Sequence, residues 1–331
     1  MLVKDKYYCF SCGACLSDKK VMCPGKKVVE KVNKELDGAG MQGHIKVTLQ
    51  GKSRDKQIYE NSQSGGLVSS VLISLLEQGF IEKALVTKME YGNPPYCSPY
   101  LTDSREGILE SQGSKYCPNP LLKIIDELRE ISGPIAIVGL PCHFYGLYNL
   151  MGSNPWLQEK TIYKLGLFCR QVMNLKSFDF FSSKANLSPG DYLVKYRDKK
   201  AGGVQGLENM NLFQEGKSIA LDRKVRDEAK VKYQIERCNY CFDKLNILAD
   251  LSFGDPSKLK CDPKGEGIIM VRTIAGEGLL DAVDNIEVRE IDTDRVIKGQ
   301  KMEKRIVSYQ MACEEAKDRG LKLPFLAEKS K

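Results

Sequence analysis

The stretch that decides the fold is PIAIVGLPCHFYGLYNLM, residues 134–151. Pro134–Gly139 is a short apolar run, which predicts a buried strand. Leu140–Cys142 is predicted to form a turn and His143–Met151 a helix. Because units of strand, turn and helix build α/β folds, we expect a mixed α/β (α+β) architecture around a central mixed sheet.

Related patterns extend in both directions along the chain. The segment LVSSVLISLLE, residues 67–77, predicts a buried helix that ends at Gly79. Prolines at 94, 95 and 99 mark a loop. Other apolar patterns predict strands at Ile81–Thr87, Thr161–Phe168, Tyr192–Arg197, Gly267–Thr273 and His44–Leu49, and helices at Pro120–Arg129, Glu277–Val283 and after Lys298.

Composition places the chain among ordinary globular proteins. Of 331 residues, 42% are hydrophobic and 28% charged, within the usual range for such proteins. The sequence lacks a run of about 18 apolar residues, so no membrane span is expected. The start, MLVKDKYYCF, does not resemble a secretory signal, and a cytoplasmic location is the expectation. The net charge of +7 favours anionic partners without naming them.

Twelve cysteines are the unusual feature of the composition. In a reducing cytosol they indicate metal binding or catalysis rather than disulfides. The two histidines, His44 and His143, are too few for histidine-rich zinc catalysis. No GxGxxG segment follows a predicted strand and no Walker A motif occurs, so neither a Rossmann site nor a P-loop is predicted.

The first cysteine group lies in CFSCGACLSDKKVMCP, residues 9–24. Its C-x2-C-x2-C spacing with a later Cys-Pro is typical of ferredoxin-type iron–sulfur sites. Cys9, Cys12, Cys15 and Cys23 are therefore candidate ligands of one cluster. The last gap is seven residues here, whereas ferredoxins have about three. Four thiolates also suit structural zinc, and unliganded cysteines are the third reading.

A second group is built around Cys238 and Cys241 in ERCNYCFDK, which supply half of a four-thiolate site. Cys142 stands before a predicted helix, whose dipole stabilises a thiolate. Cys169 ends the predicted strand Thr161–Phe168, and cysteines at the ends of neighbouring strands can converge. On spacing alone, however, the reading of Cys142 and Cys169 as small buried side chains is favoured.

Two polar segments with glycine are candidate ligand loops. Residues 61–66, NSQSGG, precede the predicted helix at 67–77, and free N–H groups at a helix start suit a phosphate or a flavin carbonyl. The signal is weak on its own, and the alternative reading of Ser64 is a plain helix N-cap. Residues 112–116, QGSKY, suit a flavin edge and an ordinary loop alike.

Taken in order along the chain, these segments resemble the beta subunit of coenzyme F-420 hydrogenase and dehydrogenase. The resemblance runs from about Gln57 to Ala282. It rests on an ordered set of segments: Ser64-Gly65-Gly66, Gly113-Ser114-Lys115-Tyr116, Gly139-Leu140-Pro141-Cys142, Leu167-Phe168-Cys169, Tyr196-Arg197, Cys238-x2-Cys241 and Ala249–Asp255. The ordered set is specific, whereas no single segment is.

The resemblance implies FAD, a [4Fe–4S] cluster in the main body and a site for the 8-hydroxy-5-deazaflavin coenzyme F-420 as substrate. It makes Cys142, Cys169, Cys238 and Cys241 the expected ligands of an inner cluster. The N-terminal cysteines then resemble a ferredoxin-like extension with a second [4Fe–4S] cluster. The implied FAD contacts are Ser62, Gln63, Ser64, Gly65, Gly66, Gly113, Ser114, Lys115 and Tyr116, with Asn119 and Arg197 as further candidates.

The same resemblance divides the chain into four parts around a flavoprotein domain. Residues 1–30 are expected to form the small Cys-rich iron–sulfur segment, and 31–130 a first flavin-binding part. Residues 131–295 are expected to form a second part with iron–sulfur and flavin contacts, and 296–331 a helical tail. Lys199 and Lys200, beside Arg197, are candidates for steering the anionic coenzyme.

A deazaflavin exchanges hydride and iron–sulfur clusters exchange single electrons, whereas FAD does both. FAD is therefore expected between the coenzyme and the clusters. We expect hydride transfer between the coenzyme and FAD in either direction, with electrons relayed through the clusters. The expected acceptor is a partner subunit of a hydrogenase, a dehydrogenase or a membrane-bound oxidoreductase, which places the chain in the cytoplasm or on the cytoplasmic face of such a complex.

Three other functions fit parts of the sequence. One is a ferredoxin-dependent reductase of the same fold that acts on another organic substrate, and another is a cluster-bearing electron-wire subunit without flavin. A zinc-knuckle nucleic-acid binder would need interleaved basic and aromatic residues. Only Tyr7, Tyr8 and Phe10 hint at that pattern, so no nucleic-acid partner is expected.

Overall fold

The computed structural model describes residues 7–27, 30–202, 208–257 and 259–323. The strands are β1 Val47–Ser53, β2 Lys83–Glu90, β3 Tyr96–Thr102, β4 Ile135–Gly139, β5 Ile162–Leu167, β6 Leu193–Lys195, β7 Met210–Gln214, β8 Lys217–Leu221, β9 Leu251–Gly254, β10 Gly267–Val271 and β11 Ile286–Glu290. The α-helices are α1 Ala14–Ser17, α2 Glu30–Leu36, α3 Lys56–Asn61, α4 Leu67–Glu77, α5 Arg105–Glu110, α6 Pro141–Ser153, α7 Pro155–Gln158, α8 Lys176–Lys184, α9 Arg223–Lys232, α10 Ile274–Asp281, α11 Thr293–Gly299 and α12 Met302–Asp318. Segments of 3-10 helix lie at Gly40–Gln42, Leu121–Glu130, Lys199–Ala201 and Glu236–Tyr240.

Eight of the described strands form one mixed sheet in the order β11-β1-β10-β9-β5-β4-β2-β3. Strands β9, β5, β4 and β2 run parallel to their neighbours in this group. The flanking pairs, with β10, β1 and β11 on one side and β3 on the other, are antiparallel. Strands β6, β7 and β8 form a separate antiparallel sheet. The predicted mixed α/β fold with a central mixed sheet is therefore confirmed.

The central strand β4 shows how the apolar sequence builds two cores. Successive side chains of a strand point to opposite faces of the sheet. Ile135 and Ile137 accordingly pack in one hydrophobic cluster, with α6, while Ala136 packs in another, with α4. Because both faces are covered, the strand is apolar throughout, as is usual for a parallel strand in the middle of a sheet.

Several element predictions are confirmed and others need correction. The helix at 67–77 and its end near Gly79, where φ is +71°, are as predicted. The predicted turn at Leu140–Cys142 is wrong in extent, because α6 already begins at Pro141, a residue suited to the first helical position. The segment predicted as a helix at Pro120–Arg129 is 3-10 helix over Leu121–Glu130, with a kink at Ile124.

Pro99 corrects the loop predicted around the three prolines. It lies within β3 and pairs with Thr87 of β2. Strand β3 is at the edge of the sheet, where a residue without an N–H donor is tolerated. Strands β7, β8, β9 and β11 were not predicted, since they are short and lack a continuous apolar run. In the part of the chain that is described, no helix is both long and apolar enough to cross a membrane.

Candidate functional site

A cavity of about 490 Å³ opens at the carboxyl ends of the parallel strands. Its wall includes Val138 of β4, Leu167 of β5 and Phe253 of β9. Ligands of open α/β sheets bind at this edge. All eleven residues predicted to contact FAD line this cavity: Ser62, Gln63, Ser64, Gly65, Gly66, Gly113, Ser114, Lys115, Tyr116, Asn119 and Arg197. The structure thus brings together segments that are far apart in the sequence.

The start of α4 forms one side of the cavity. Gly66 is the N-cap residue, with a left-handed φ of +76°, and among the residues that the structure describes no side chain caps the helix. Ser64 is not the N-cap, because its Oγ donates to the backbone carbonyl of Glu266 at 2.8 Å. Gly65 allows close packing, since a Cβ there would lie 2.4 Å from the Gly51 carbonyl oxygen. The first N–H groups of α4 have no partner within the helix and favour an anionic or carbonyl ligand.

The buried Gln63 side chain connects three segments of the cavity wall. Its Oε1 accepts a hydrogen bond from the Ser114 backbone N–H at 2.9 Å, and a second from the Ser114 hydroxyl. Its Nε2 donates to the Arg197 carbonyl oxygen at 2.8 Å. The loop before α4, the loop at 113–116 and the strand end at Arg197 therefore hold a fixed mutual position.

Asn119 and His143 form a second fixed contact in the wall. The His143 Nδ1 accepts from the Leu140 N–H at 3.0 Å, so Nε2 carries the proton and donates to the Asn119 carbonyl at 3.0 Å. Burial lowers the pKa of His143 to about 4, and the ring is neutral at physiological pH. The Asn119 Nδ2 donates to Thr87, while its buried Oδ1 accepts no hydrogen bond from any of the described residues. Asn119 Oδ1 is thus an acceptor available to a cavity ligand.

Arg197 is held by carboxylates rather than left open towards the cavity. Its Nε and Nη2 donate to Glu208 at 2.9 and 3.1 Å, and its Nη1 donates to Asp255 at 2.7 Å. The Glu208 side chain is only 1% exposed. Arg197 therefore lines the cavity as part of a buried ion pair, and its guanidinium charge is compensated.

Cations reach the cavity from segments that the sequence did not single out for this role. Lys230 of α9, Lys244 and Arg170 line it. The Lys230 ammonium lies 4.8 Å from the ring centre of Tyr116, another wall residue. Burial lowers the pKa of Lys230, and burial with neighbouring cations lowers the pKa of Lys244 to about 8. Lys230 lies in a basic run whose sequence gave no means of telling a cavity wall from a solvated surface.

The two lysines predicted to steer the coenzyme lie outside the cavity wall. The Lys199 ammonium donates to the backbone carbonyls of Tyr59 and Ser64, each at 3.1 Å. Lys200 is exposed on the short 3-10 segment, where its backbone N–H bonds to Asp198. Lys199 therefore supports the loop before α4 from behind.

The four cysteines of the predicted inner cluster come from four places in the fold. Cys142 lies in the first turn of α6, Cys169 follows β5, and Cys238 and Cys241 lie within and after a 3-10 segment. Cys169 lines the cavity. Burial raises the pKa of Cys142 well above its usual value, and the charges of the other three thiols contribute. The structure thus brings the four thiols within electrostatic reach of one another, beside the cavity.

The N-terminal cysteines form a neighbouring group. Burial raises the pKa of Cys12 to about 12, with contributions from Cys9, Cys15 and Cys23. The Cys12 carbonyl accepts from the Leu122 N–H at 3.0 Å, which joins this segment to the body of the protein. Cys12 in turn contributes to the raised pKa of Cys142. The two thiol groups therefore lie next to each other.

Phe10 and Arg237 also connect the two groups of thiols. Phe10 lies between Cys9 and Cys12 in the sequence, and Arg237 directly precedes Cys238. The buried Arg237 guanidinium lies 4.3 Å from the centre of the Phe10 ring. This cation–π contact is a direct side-chain link between the N-terminal segment and the main body.

All eight of these cysteines are free thiols in the structure. Across residues 7–27, 30–202, 208–257 and 259–323, no three His, Cys, Asp or Glu side chains close around a point as tightly as one metal ion requires. An all-thiol donor set is nevertheless the set that iron–sulfur clusters take. The eight cysteines therefore suit such clusters because they are all thiol donors and because they are grouped in the fold.

A ligand-sized cavity at the carboxyl edge of a mixed sheet, with grouped thiols beside it, defines a mixed α/β protein suited to redox cofactors. Residues 48–126 match the N-terminal part of the coenzyme F420 hydrogenase/dehydrogenase beta subunit family, and residues 133–294 match its C-terminal part. The chain belongs to this family of oxidoreductase subunits.

Three similar proteins come from methanogens. The beta subunit of the coenzyme F420 hydrogenase of Methanosarcina barkeri is 26% identical over 86% of this chain and 97% of its own length. One of the F420H2 dehydrogenase subunits of Methanosarcina mazei is 28% identical over 72% of this chain, and the coenzyme F420-dependent sulfite reductase of Methanocaldococcus jannaschii is 25% identical over 92%. The matches span 63% and 51% of the length of these last two relatives.

A solved structure shares the fold. It belongs to the F420-reducing [NiFe] hydrogenase complex of Methanosarcina barkeri, with a TM-score of 0.67 and 23% identity. The match covers 86% of this chain and 98% of that one. This likeness supports the architecture described above.

Proposed function

We propose that this chain transfers electrons between coenzyme F-420 and a partner redox subunit, with FAD in the cavity and [4Fe–4S] clusters on the two groups of thiols. The family supports F420-linked redox chemistry. The single observation that carries the finer assignment is the composition of the cavity wall. That wall joins both candidate flavin loops to Cys169, a thiol of the inner group.

The residues of the wall suit a flavin nucleotide in kind and in position. The start of α4 offers backbone N–H groups to a phosphate or a flavin carbonyl. The Oδ1 of Asn119 offers a buried acceptor to a flavin N–H. Gln63 keeps the two loops at a fixed separation. When bound, FAD supplies the ability to exchange hydride on one side and single electrons on the other.

Lys230, Lys244 and Arg170 give the cavity a positive wall for an anionic ligand. The coenzyme carries phosphate and carboxylate groups, so these cations would hold its polar tail or the FAD pyrophosphate. Lys244 and Arg170 belong to the same side of the cavity as Cys169, whose N–H donates to the Lys244 carbonyl at 2.9 Å. This arrangement keeps an anionic substrate close to the inner thiols.

Because Cys12 and Cys142 lie near each other, we propose that electrons pass from the cavity through the inner cluster to the N-terminal cluster. Cys169 of the inner group lines the cavity, whereas Cys12, the N-terminal thiol that contributes to the raised pKa of Cys142, does not line it. Cys15 of the N-terminal group is exposed, whereas the four inner thiols are half-buried. A partner subunit would therefore exchange electrons with the N-terminal group, and the coenzyme with the cavity.

An anaerobic titration tests this function. Reduced coenzyme F-420 is added to the purified holoprotein, and the flavin and cluster absorbances are followed together. We expect the flavin absorbance to bleach first and the cluster absorbance to follow. Bleaching by reduced ferredoxin but not by the coenzyme would instead favour the reductase with another substrate, and a protein without extractable flavin would favour the electron-wire subunit.

A further inference from the structure

Four of the twelve cysteines belong to neither candidate cluster group: Cys97, Cys117, Cys261 and Cys313. Two of these four lie side by side. The Sγ atoms of Cys97 and Cys117 are 3.2 Å apart, and both residues are buried. A disulfide bond places its sulfur atoms about 2.05 Å apart, so a shift of roughly 1 Å would close one.

The surroundings of the pair are rich in sulfur and contain a cation. Met89 lies opposite Cys97 on the neighbouring strand, and its Sδ is 3.8 Å from each cysteine Sγ. The half-buried Lys115 ammonium interacts electrostatically with both thiols. A cation beside a thiol favours the thiolate, which is the reactive form.

The position of the pair relates it to the cavity. Cys97 lies in the edge strand β3, and Cys117 directly follows Tyr116 of the cavity loop. A bond between the two sulfurs would fasten the 113–117 loop to the sheet. The same loop holds Ser114, which is bonded to Gln63.

We propose that Cys97 and Cys117 are a redox-active dithiol, which peroxide closes to a disulfide and a thiol reductant reopens. This inference does not depend on which ligand fills the cavity. Cys97 is the attacking sulfur, because it is 4% exposed against 1% for Cys117. The mutual hydrogen bond and Lys115 also lower the pKa of Cys97.

The chemistry balances with hydrogen peroxide as the oxidant. The Cys97 sulfur attacks one peroxide oxygen and the O–O bond breaks, which gives a sulfenic acid and one water. The Cys117 sulfur then attacks the Cys97 sulfur, an S–S bond forms, and the hydroxyl leaves as a second water. Two electrons pass from the two sulfurs to the two oxygens, and both thiol protons end in water.

The test maps disulfides in the holoprotein. Anaerobic protein receives one equivalent of hydrogen peroxide, is quenched with acid and an alkylating reagent, and is digested for mass spectrometry. We expect a linked pair of peptides that contain Cys97 and Cys117, lighter by about 2 Da than the two free thiols and lost on treatment with dithiothreitol. Iron is measured in parallel, so that cysteines released from a damaged cluster are recognised.

Variants and hydrogen exchange complete the test. Cys97→Ser should abolish the linked peptides, whereas Cys313→Ser, a change at another buried cysteine, should leave them unchanged. Amide exchange in residues 111–119 should slow after oxidation of the unmodified protein. Absence of the linked peptides while iron is retained, or oxidation of this pair no faster than that of Cys313, would overturn the proposal.

Discussion

Gln63 donates from its Nε2 to the backbone carbonyl of Arg197 at 2.8 Å, across 134 residues of sequence. The same side chain accepts from Ser114. One glutamine therefore joins a helix start, a loop and a strand end around the cavity. This contact depends on the tertiary fold, because the three segments lie far apart in the chain.

Replacing Gln63 should loosen the cavity. In Gln63→Ala, the Ser114 and Arg197 backbone groups lose their buried partner, and a lost hydrogen bond of this kind costs about 1–3 kcal/mol. We expect FAD to bind about tenfold more weakly, since about 1.4 kcal/mol is one factor of ten. Fluorescence titration of the apoprotein with FAD measures the effect.

Gln78→Ala is the matched control, because Gln78 is exposed at the C-cap of α4, away from the cavity. It should bind FAD as the unmodified protein does. Equal FAD affinity of Gln63→Ala and the unmodified protein would show that Gln63 does not organise the flavin site.

The buried ion pair between Arg197 and Glu208 should contribute to the stability of the fold. Arg197→Met leaves a carboxylate buried without its guanidinium partner, and breaking a buried pair in this way costs about 3–5 kcal/mol. The double variant Arg197→Met/Glu208→Gln removes the buried charge and should recover part of that loss. Urea unfolding followed by circular dichroism gives the free energies of unfolding. A double variant no more stable than the single one would contradict this account.

Substitutions in the inner and the N-terminal sets of cysteines should have different effects on electron transfer. Cys169→Ser should lose about half of the iron and the flow of electrons from flavin to cluster. Cys15→Ser should lose a similar amount of iron, but its flavin should still pass electrons to the inner cluster. Iron analysis and stopped-flow absorbance with reduced coenzyme separate the two outcomes. Cys313→Ser is the control and should retain the full iron content.

Lys244 and Lys200 distinguish the cavity cations from the lysines that the sequence suggested. Lys244→Met removes a cation from the cavity wall and should raise the Kd for coenzyme F-420 severalfold. Lys200→Met changes an exposed residue outside the wall and should leave Kd within about twofold. A larger effect at Lys200 would restore the steering role predicted from the sequence.

Much of the central fold was predictable because local patterns and tertiary structure agree there. The helix 67–77 is apolar on several sides and is buried as predicted. Strand β4 is a continuous apolar run and lies in the middle of the sheet. By contrast, β11 is short, has one buried residue, Ile286, among exposed ones, and lacks the continuous apolar run that marks β4.

The candidate site was predictable mainly through the resemblance. Spacing alone favoured reading Cys142 and Cys169 as ordinary buried side chains. The two residues come near each other only because β4 and β5, which precede them, pair in parallel. The same is true of Cys97 and Cys117. Strand β3 was predicted as a loop, and only its pairing with β2 places Cys97 beside Cys117.

Lys230 and Lys244 could not be assigned from the sequence for a related reason. Lys230 belongs to a helix with many basic residues, and the packing of α9 decides which of them faces the cavity. Lys244 follows Cys241 by three residues and has no motif of its own. Positive charge in a sequence indicates an anionic partner, whereas its position on the folded surface decides where that partner binds.

The proposed electron transfer depends most directly on iron held by thiols beside a flavin. The decisive measurement is the iron, acid-labile sulfide and flavin content per chain after anaerobic purification. We expect about eight iron atoms, about eight sulfides and one FAD per chain. A colourless protein, folded but without iron and sulfide, would contradict it.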